Sequence, residues 1–130
     1  MAIFTARKVD INGHTTAILS IQGEVDVNTE GRKSDVVVLH GEFDELINNR
    51  IKWIILDLSE ATYIVSSGFG QILAAMTRLR ARRGDLYIAC IHGAVWTAAS
   101  TVGLDSLLKF FSTIEEALAE IRQKVSAVSP

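Results

Sequence analysis

The sequence KWIILDLSEATYIVSSGFG, residues 52–70, joins a continuous apolar run to a short polar segment that contains two serines and two glycines. Lys52 to Leu58 is mostly large and apolar, which is typical of a central strand covered on both faces. Ser66 to Arg83 has helical spacing, with one apolar stripe formed by Phe69, Ile72, Leu73, Met76 and Leu79. We therefore predict a buried strand followed by a helix, with Ser66 or Ser67 at the helix N-terminus.

The same alternation continues towards the C-terminus. Leu86 to Ile91 predicts another buried strand, and Gly93 to Val102 predicts a short helix. Gly84 stands where the C′ residue of the preceding helix is expected. The segment from Ser112 to Glu115 has the form of a capping box for a last helix. The inward residues of that helix are expected to be Ile114, Ala117, Leu118, Ile121 and Val125.

Two strands and a helix are predicted in the N-terminal part. Ile3 to Val9 and Thr15 to Ile21 are separated by turn residues, so they should pair as a hairpin. Gly23 to Lys33 is polar and irregular and is expected to be a loop. Ser34 to Asn48 combines a valine run with helical spacing and a capping serine, and we interpret it as a helix. Strands alternating with helices predict an α/β fold with a largely parallel sheet.

Composition limits the function classes. The chain has 130 residues, 48% hydrophobic residues and a net charge of −2, which indicates one domain over residues 1–130. The near-neutral charge argues against a nucleic-acid partner. Cys90 is the one cysteine, so nothing points to an oxidising compartment. The uncharged stretch from Leu86 to Leu104 is broken by polar residues and glycines, so we interpret it as strand, turn and helix. We expect a soluble, cytoplasmic protein without direct membrane insertion.

The junction before the helix at Ser66 is the strongest candidate for a functional site. Unpaired backbone N–H groups and the dipole at a helix N-terminus favour negative charge. A serine there is expected to be exposed, and a phosphate on Ser66 or Ser67 would not oppose the local field. The alternative is that Ser66 is only the helix N-cap. A third hypothesis is a small ligand or nucleotide bound at the helix start between Ser66 and Gly70.

Several ordered motifs resemble the STAS domain family, the fold of bacterial anti-sigma-factor antagonists and of sulfate-transporter tails. Leu56 to Ser59 followed by Tyr63 to Gly70 looks like the family signature. Further similar segments are Gly23 to Asp26, Gly84 to Leu86, Val102 to Leu104 and Ser112 to Leu118. The resemblance implies a small, mostly parallel sheet with an N-terminal antiparallel strand and with helices packed mainly on one face.

The antagonist branch of that family implies a specific function. There, a serine kinase that doubles as the anti-sigma factor phosphorylates the antagonist, and a serine phosphatase reverses the step. The resemblance implies Ser66 as the phosphorylated residue, with Ser67 as its alternative. The implied partner-binding residues are Glu24, Asp26, Ser66, Ser67, Gly68 and Phe69. We expect no enzymatic activity, no cofactor and no metal, with ATP belonging to the kinase; a homodimer stays open.

Two positions depart from the family pattern. Val65 stands where the antagonists have an aspartate before the phosphorylated serine, and the loop from Val27 to Asp35 is several residues longer than usual. These departures support a second hypothesis: a STAS protein that acts without phosphorylation, as an assembly scaffold or as an accessory subunit of a transport complex.

Three further features each allow two interpretations. Trp96 lies outside the apolar stripe of its helix, so it either meets a partner or packs under a neighbouring element. The arginines at positions 78, 80, 82 and 83 either complement the dipole at a helix C-terminus or face an acidic partner. Cys90 and His92 alternate near a strand end, and without a third ligand close in sequence a structural role is favoured over a metal site.

Overall fold

The computed structural model describes residues 1–27 and 31–128, which form five strands and four helices. The strands are β1 (Ala2–Ile11), β2 (His14–Val25), β3 (Trp53–Ile64), β4 (Asp85–Ala89) and β5 (Lys109–Phe111), and the helices are α1 (Asp35–Asn48), α2 (Ser66–Ala81), α3 (Gly93–Thr101) and α4 (Ile114–Val128). The strands lie side by side in chain order. β1 is antiparallel to β2, and the other neighbouring pairs are parallel. The predicted α/β architecture is confirmed.

A two-residue turn joins β1 to β2. Ile11 pairs with His14, and the residues between them, Asn12 and Gly13, have positive φ angles of 50° and 83°. Positive φ at both central residues is what a type I′ turn requires, and this turn matches the twist of the strands on either side. Asparagine and glycine adopt that conformation most readily. The predicted hairpin therefore follows from the chemistry of its turn.

Helices cover both faces of the sheet, three on one face and one on the other. α1, α2 and α3 pack on one face and enclose the larger core, whose helical residues include Leu39, Phe43, Ile47, Ile72, Leu79 and Val95. α4 alone packs on the other face, through Ala117, Ile121 and Val125. In that smaller core the Tyr87 ring centroid lies 6.2 Å from that of Trp53 and 5.4 Å from that of Phe111. The expectation of helices mainly on one face is confirmed.

The two central strands extend further than their sequence pattern predicts. β2 continues to Val25 and β3 to Ile64, beyond the ends expected at Ile21 and Leu58. Val25 and Ile64 pair with each other, so the first part of the loop predicted at Gly23 to Lys33 is strand instead. The pairing shifts register twice along these ends. A register shift breaks the alternation of buried and exposed residues, and the sequence therefore shows no regular period of two there.

The C-terminal half contains a strand that the sequence pattern does not reveal. β5 has three residues, too few to display a period, and it pairs with Tyr87 to Ala89 of β4.

The uncharged stretch from Leu86 to Leu104 forms most of β4, the following turn and α3, as predicted. Among the described residues, every helix is too short or too polar to span a membrane.

The end of α2 differs from the prediction. The helix ends at Ala81, and Arg83 rather than Gly84 has the left-handed conformation, with a φ of 65°. Gly84 follows as the next residue, and its N–H donates to the carbonyl oxygen of Leu79 at 2.9 Å. Together with the bond from the N–H of Arg83 to the carbonyl oxygen of Arg80, at 3.1 Å, it forms a Schellman motif in which an arginine occupies the position that glycine usually takes.

The start of α4 differs from the prediction by one residue. The Thr113 hydroxyl accepts the N–H of Glu116 at 3.1 Å, and the Glu116 carboxylate accepts the N–H of Thr113 at 3.2 Å. The capping box is therefore Thr113 to Glu116, not Ser112 to Glu115. Two overlapping four-residue segments fit the same pattern, and only the backbone path distinguishes them.

Gly84 is required by a close approach between two backbone segments. A Cβ atom at Gly84 would lie 1.7 Å from the carbonyl oxygen of Lys52. The N–H of Asp85 donates to that same oxygen at 3.0 Å. The chain between α2 and β4 thus crosses the start of β3 without room for a side chain.

Replacing Gly84 with alanine should lower the free energy of unfolding by about 3 kcal/mol, because backbone atoms must move to admit the methyl group. Gly41 is the matched control, since it lies inside α1 and its Cβ position is open. Gly41→Ala should raise the free energy of unfolding by about 0.5–1 kcal/mol. Urea denaturation measures both; a Gly84→Ala variant as stable as the parent would contradict the close approach.

Candidate functional site

The carboxyl ends of β2 and β3 bring most of the predicted site residues to one edge of the sheet. Val25 pairs with Ile64, and the N–H of Val65 donates to the carbonyl oxygen of Val25 at 3.0 Å. The chain then leaves β2 at Asp26 and enters α2 at Ser66. Because parallel strands end at the same edge of a sheet, the loop acids and the serines are neighbours there.

Ser66 and Ser67 are the first two residues of α2, and both are exposed. The N-cap is Val65, which has an extended backbone (φ −69°, ψ 155°) and makes no side-chain capping bond. The alternative in which Ser66 is only the N-cap is therefore wrong. An exposed hydroxyl group stands beside the positive end of the helix dipole, where added negative charge is favoured.

Gly68 and Phe69 are buried beneath the serines, although both were predicted to lie at a partner surface. A Cβ atom at Gly68 would lie 2.8 Å from Cγ2 of Ile64 and 3.2 Å from Cγ1 of Val25, so glycine allows α2 to approach the two strand ends closely. Phe69 is 3% exposed and belongs to the larger core. Both residues fix the position of the helix start. They lie on the side of α2 that faces the core, which is the side with the apolar stripe from which the helix was predicted.

A buried carboxylate fixes the position of Asp26. Asp35, the first residue of α1, is 2% exposed, and its Oδ2 accepts the N–H of Asp26 at 3.1 Å. Its Oδ1 accepts the N–H of Ala2 at 3.3 Å and the Arg32 guanidinium at 3.0 Å. In return, the N–H of Asp35 donates to the carbonyl oxygen of Asp26 at 3.0 Å. Asp35 therefore ties the loop after β2 to both β1 and α1.

Hydrogen bonds keep this buried carboxylate ionised. Burial by itself raises the pKa of Asp35, but the backbone N–H groups of Asp26 and Ala2 and the Arg32 charge outweigh it, so the pKa lies below its ordinary value. The sequence pattern did not single out Asp35. An acid directly after a capping serine is common at helix starts, and Ser34 does cap α1, with Oγ 3.0 Å from the N–H of Val37. That signal gives no indication of burial.

Two exposed side chains extend the site along the paired strands. Glu24 pairs with Tyr63 across β2 and β3, and Tyr63 is 45% exposed. The Asp26 carboxylate is half-buried and accepts the N–H of Val27 at 2.7 Å. Tyr63 had no predicted role. Its exposure beside the acids and serines gives this edge a large aromatic group, the residue type that is enriched where proteins bind partners.

Trp96 lies on α3, the helix that follows β4. Its ring is 41% exposed and packs edge-on against Phe110, with ring centroids 5.3 Å apart. Part of the ring therefore packs against β5, as the second interpretation requires, and a partner at the exposed remainder stays a prediction.

Cys90 and His92 both follow the end of β4, and each has its own surroundings. Cys90 follows β4 with a φ of 63°, so strand alternation does not continue to His92, contrary to the prediction. Burial raises the pKa of the Cys90 thiol, and the Asp57 carboxylate adds to this effect. His92 Nε2 lies 2.8 Å from the carbonyl oxygen of Ser59. Within the part of the chain that the structure describes, no three metal-binding side chains cluster together.

Most of the chain matches a known domain family. The model of the STAS domain family matches residues 6–117. This chain belongs to the STAS domain family. A Thermotoga maritima protein named "Putative anti-sigma factor antagonist" is 30% identical over 82 residues, which are 63% of this chain and 73% of that protein. The resemblance read from the sequence is thereby confirmed.

Solved structures agree with this assignment. The crystal structure of a Thermotoga maritima protein of the same name has a TM-score of 0.78 and 26% identity, and the match covers 92% of this chain and 94% of that chain. The phosphorylated form of the Bacillus cell fate determinant SpoIIAA has a TM-score of 0.69 and 21% identity, covering 92% and 100%. A sulfate transporter family protein from Wolinella succinogenes has a TM-score of 0.68 and 21% identity, covering 85% and 88%. The last two similarities concern the fold.

Replacing Asp35 with asparagine should lower the free energy of unfolding at pH 7 by about 2–4 kcal/mol, because the amide NH₂ group must face a backbone N–H on either side. The pKa of Asp35 is lowered by folding, so its contribution is present at neutral pH and is lost as the pH falls through its folded pKa. Urea denaturation at pH 7 and below pH ~4 measures the free energy of unfolding at each pH. The decrease between the two should be smaller for the variant than for the parent.

Asp44 offers the control for this experiment. Its ion pair with Arg78 is 3.0 Å long but its side chain is 44% exposed, so Asp44→Asn should change the free energy of unfolding by less than about 1 kcal/mol. Equal losses from the two variants would contradict the role assigned to Asp35.

Proposed function

We propose that this protein is an anti-sigma-factor antagonist that binds a kinase-type anti-sigma factor in a partner-switching pathway in the cytoplasm. The observation that carries the proposal is the placement of two exposed serines, Ser66 and Ser67, at the start of α2 beside the end of β2. The names of the relatives support this class of partner. In this proposal the protein acts by binding and is not an enzyme, and ATP belongs to the kinase.

The proposed partner surface is the edge that carries Glu24, Asp26, Tyr63, Ser66 and Ser67. Gly68 and Phe69 support it from the core, since their burial fixes the distance between α2 and the strands. α3 begins after β4, at the same edge of the sheet, and therefore Trp96 is proposed as an outlying contact. The surface combines a rigid aromatic ring, hydroxyl groups and carboxylates, a mixture suited to regulated binding.

Phosphorylation of Ser66 would change this surface by charge. A phosphate adds about −1.5 to −2 charges, which the dipole of α2 favours inside the protein. The same charge would join the carboxylates of Glu24 and Asp26 on one edge. A partner that fits the unmodified edge would then meet repulsion together with the cost of desolvating a dianion. The phosphorylated form is therefore proposed to release the kinase, and a serine phosphatase to restore binding.

Val65 alters the local chemistry of this switch. It is half-buried, packs against the larger core and contributes no capping bond. An aspartate in its place would put one negative charge directly beside Ser66. With valine, an incoming phosphate meets less repulsion inside the protein, while a kinase that reads an acid at this position loses a contact.

Incubation with ATP, Mg²⁺ and the kinase-type anti-sigma factor of the same organism should add one phosphate to this protein, measured as intact mass. The added mass should be absent from Ser66→Ala and present in Ser67→Ala. Since both serines are exposed at adjacent positions, the pair of variants is matched in burial. No phosphate from a kinase shown to be active on another antagonist would overturn the switch at this site.

Ser66→Asp should weaken binding of the same anti-sigma factor by at least about tenfold, because it places a carboxylate within the interface. The substitution should leave the free energy of unfolding unchanged or raise it by about 0.5 kcal/mol, since a negative charge in the first turn complements the helix dipole. Isothermal titration calorimetry and urea denaturation measure the two effects. Ser66→Ala should retain binding; equal affinities for all three proteins would contradict the proposal.

The second candidate function keeps the fold and omits the switch. A phosphorylation-independent STAS scaffold, or an accessory subunit of a transport complex, is favoured by Val65 at the N-cap and by the fold shared with a sulfate transporter family protein. Copurification separates the candidates. A kinase-fold partner supports the first, whereas a membrane transporter supports the second. Sedimentation of the pure protein tests the homodimer that either function would allow.

A further inference from the structure

The end of the sheet opposite Ser66 contains a basic cleft around Lys52. Three adjoining hollows of about 350, 500 and 220 Å³ each include Lys52 in their walls. Arg50 lies in the walls of the first two, and His14 and Trp53 in the walls of the first and third. The cationic residues of the cleft are Lys8, Arg50, Lys52, Arg82 and Arg83. No carboxylate lines these hollows within the described residues.

The cleft cations are not neutralised by neighbouring acids. Among the described residues, none of the five takes part in an ion pair. Two acids on adjacent elements have other partners: Asp44 pairs with Arg78 at 3.0 Å and Asp85 with Arg80 at 2.9 Å. The whole chain has a net charge of −2, so this excess of positive charge is local. Concentrated positive charge in a concave surface attracts anions.

Two of the cleft arginines occupy backbone positions that favour glycine. Arg50 has a φ of 66° after α1, and Arg83 has a φ of 65° after α2. Each occupies the left-handed position of a helix C-terminal motif. The N–H of Arg50 donates to the carbonyl oxygen of Ile47 at 3.1 Å, and the N–H of Arg83 donates to the carbonyl oxygen of Arg80 at 3.1 Å. Glycine would adopt this conformation without the steric cost that a side chain brings. Strained residues of this kind are often found at functional sites.

The helix dipole alone does not explain Arg83. Cations in the last turn of a helix complement its dipole, and Arg78 and Arg80 already occupy the last turn of α2. Arg83 lies beyond that turn, at a strained position, and lines the cleft. The dipole interpretation therefore applies to Arg78 and Arg80, which also form ion pairs, but it does not explain Arg83.

We propose that the cleft around Lys52 binds a small anion with several phosphate charges. Guanidinium groups match phosphate oxygens with two parallel hydrogen bonds, and lysine adds point charge. The two larger hollows have the size of small-molecule sites, and their concavity favours a compact ligand over a macromolecular surface. The cleft lies at the first residue of β3, and Ser66 lies two residues after its last, roughly 35 Å along the strand. The inference therefore does not rest on the proposed function.

The test uses the full chain and inorganic pyrophosphate as the probe. Titration followed by ¹⁵N chemical shifts, at about 50 mM ionic strength to limit screening, should give saturable changes at residues 50–53 and 82–84. Arg50→Gly and Arg83→Gly should each weaken pyrophosphate binding by at least about tenfold, the loss of one charge-assisted contact. Both variants should unfold at a temperature no lower than the parent, since glycine relieves the left-handed strain. Loss of folding is therefore not an alternative explanation for lost binding.

Arg78→Gln is the matched control. It removes the same charge from α2 at a position that lines none of the three hollows, and the affinity of the variant for pyrophosphate should stay within about twofold of the parent. Three outcomes would overturn the proposal: no saturable shifts up to about 10 mM pyrophosphate, unchanged affinity in the Arg50→Gly/Arg83→Gly double variant, or an equal loss in Arg78→Gln. Binding of a polyglutamate peptide without binding of pyrophosphate would also overturn it, and would assign the cleft to an acidic protein segment.

Discussion

The parallel pairing of β2 with β3 is the interaction on which the rest of the structure depends. It begins at Thr16 and Trp53 and ends at Val25 and Ile64, so it runs through the whole sheet from the basic cleft to the serine edge. Both strands lie inside the sheet, with β1 on one side and β4 on the other. Their apolar residues alternate between the two cores, and helices must therefore cover both faces. A shift of this pairing by one residue would move each apolar side chain to the wrong face.

The same pairing explains why the candidate site needs support from buried residues. Near the strand ends the pairing register shifts, so buried and exposed side chains no longer alternate regularly. There the position of the chain depends on side-chain packing. Gly68 lets α2 approach Val25 and Ile64, while Asp35 gathers the backbone of Asp26 and Ala2 through a carboxylate excluded from solvent. Burial of that charge is tolerated because each of its oxygens accepts a hydrogen bond. The exposed serines thus stand on a closely packed base, which is what the proposed switch by charge requires.

The two ends of the sheet differ in electrostatic character. The edge with Ser66 carries Glu24 and Asp26, whereas the opposite end gathers arginines and lysines at the C-termini of α1 and α2. This polarity has a simple origin in the topology. When parallel strands alternate with helices, every helix begins at the carboxyl ends of the strands. Every helix ends at the opposite edge, where the strands begin. The proposed phosphate at one edge would be favoured by the helix dipole, and the proposed anion at the other by side-chain charge.

The sequence by itself determined the order and type of most elements, the Asn12–Gly13 hairpin, the capping serine at position 34 and the serines at the start of α2. Each of these depends on local chemistry: turn conformation, capping, or one regular period. Tertiary structure alone decided that β2 and β3 reach Val25 and Ile64, that Phe69 is buried, and that Asp35 is the centre of a hydrogen-bond network. It also placed Arg50 and Arg83, which lie far apart in the chain, in one cleft. Contacts between distant segments leave no periodic signal, because the residue that satisfies each group is set by packing and not by spacing along the chain.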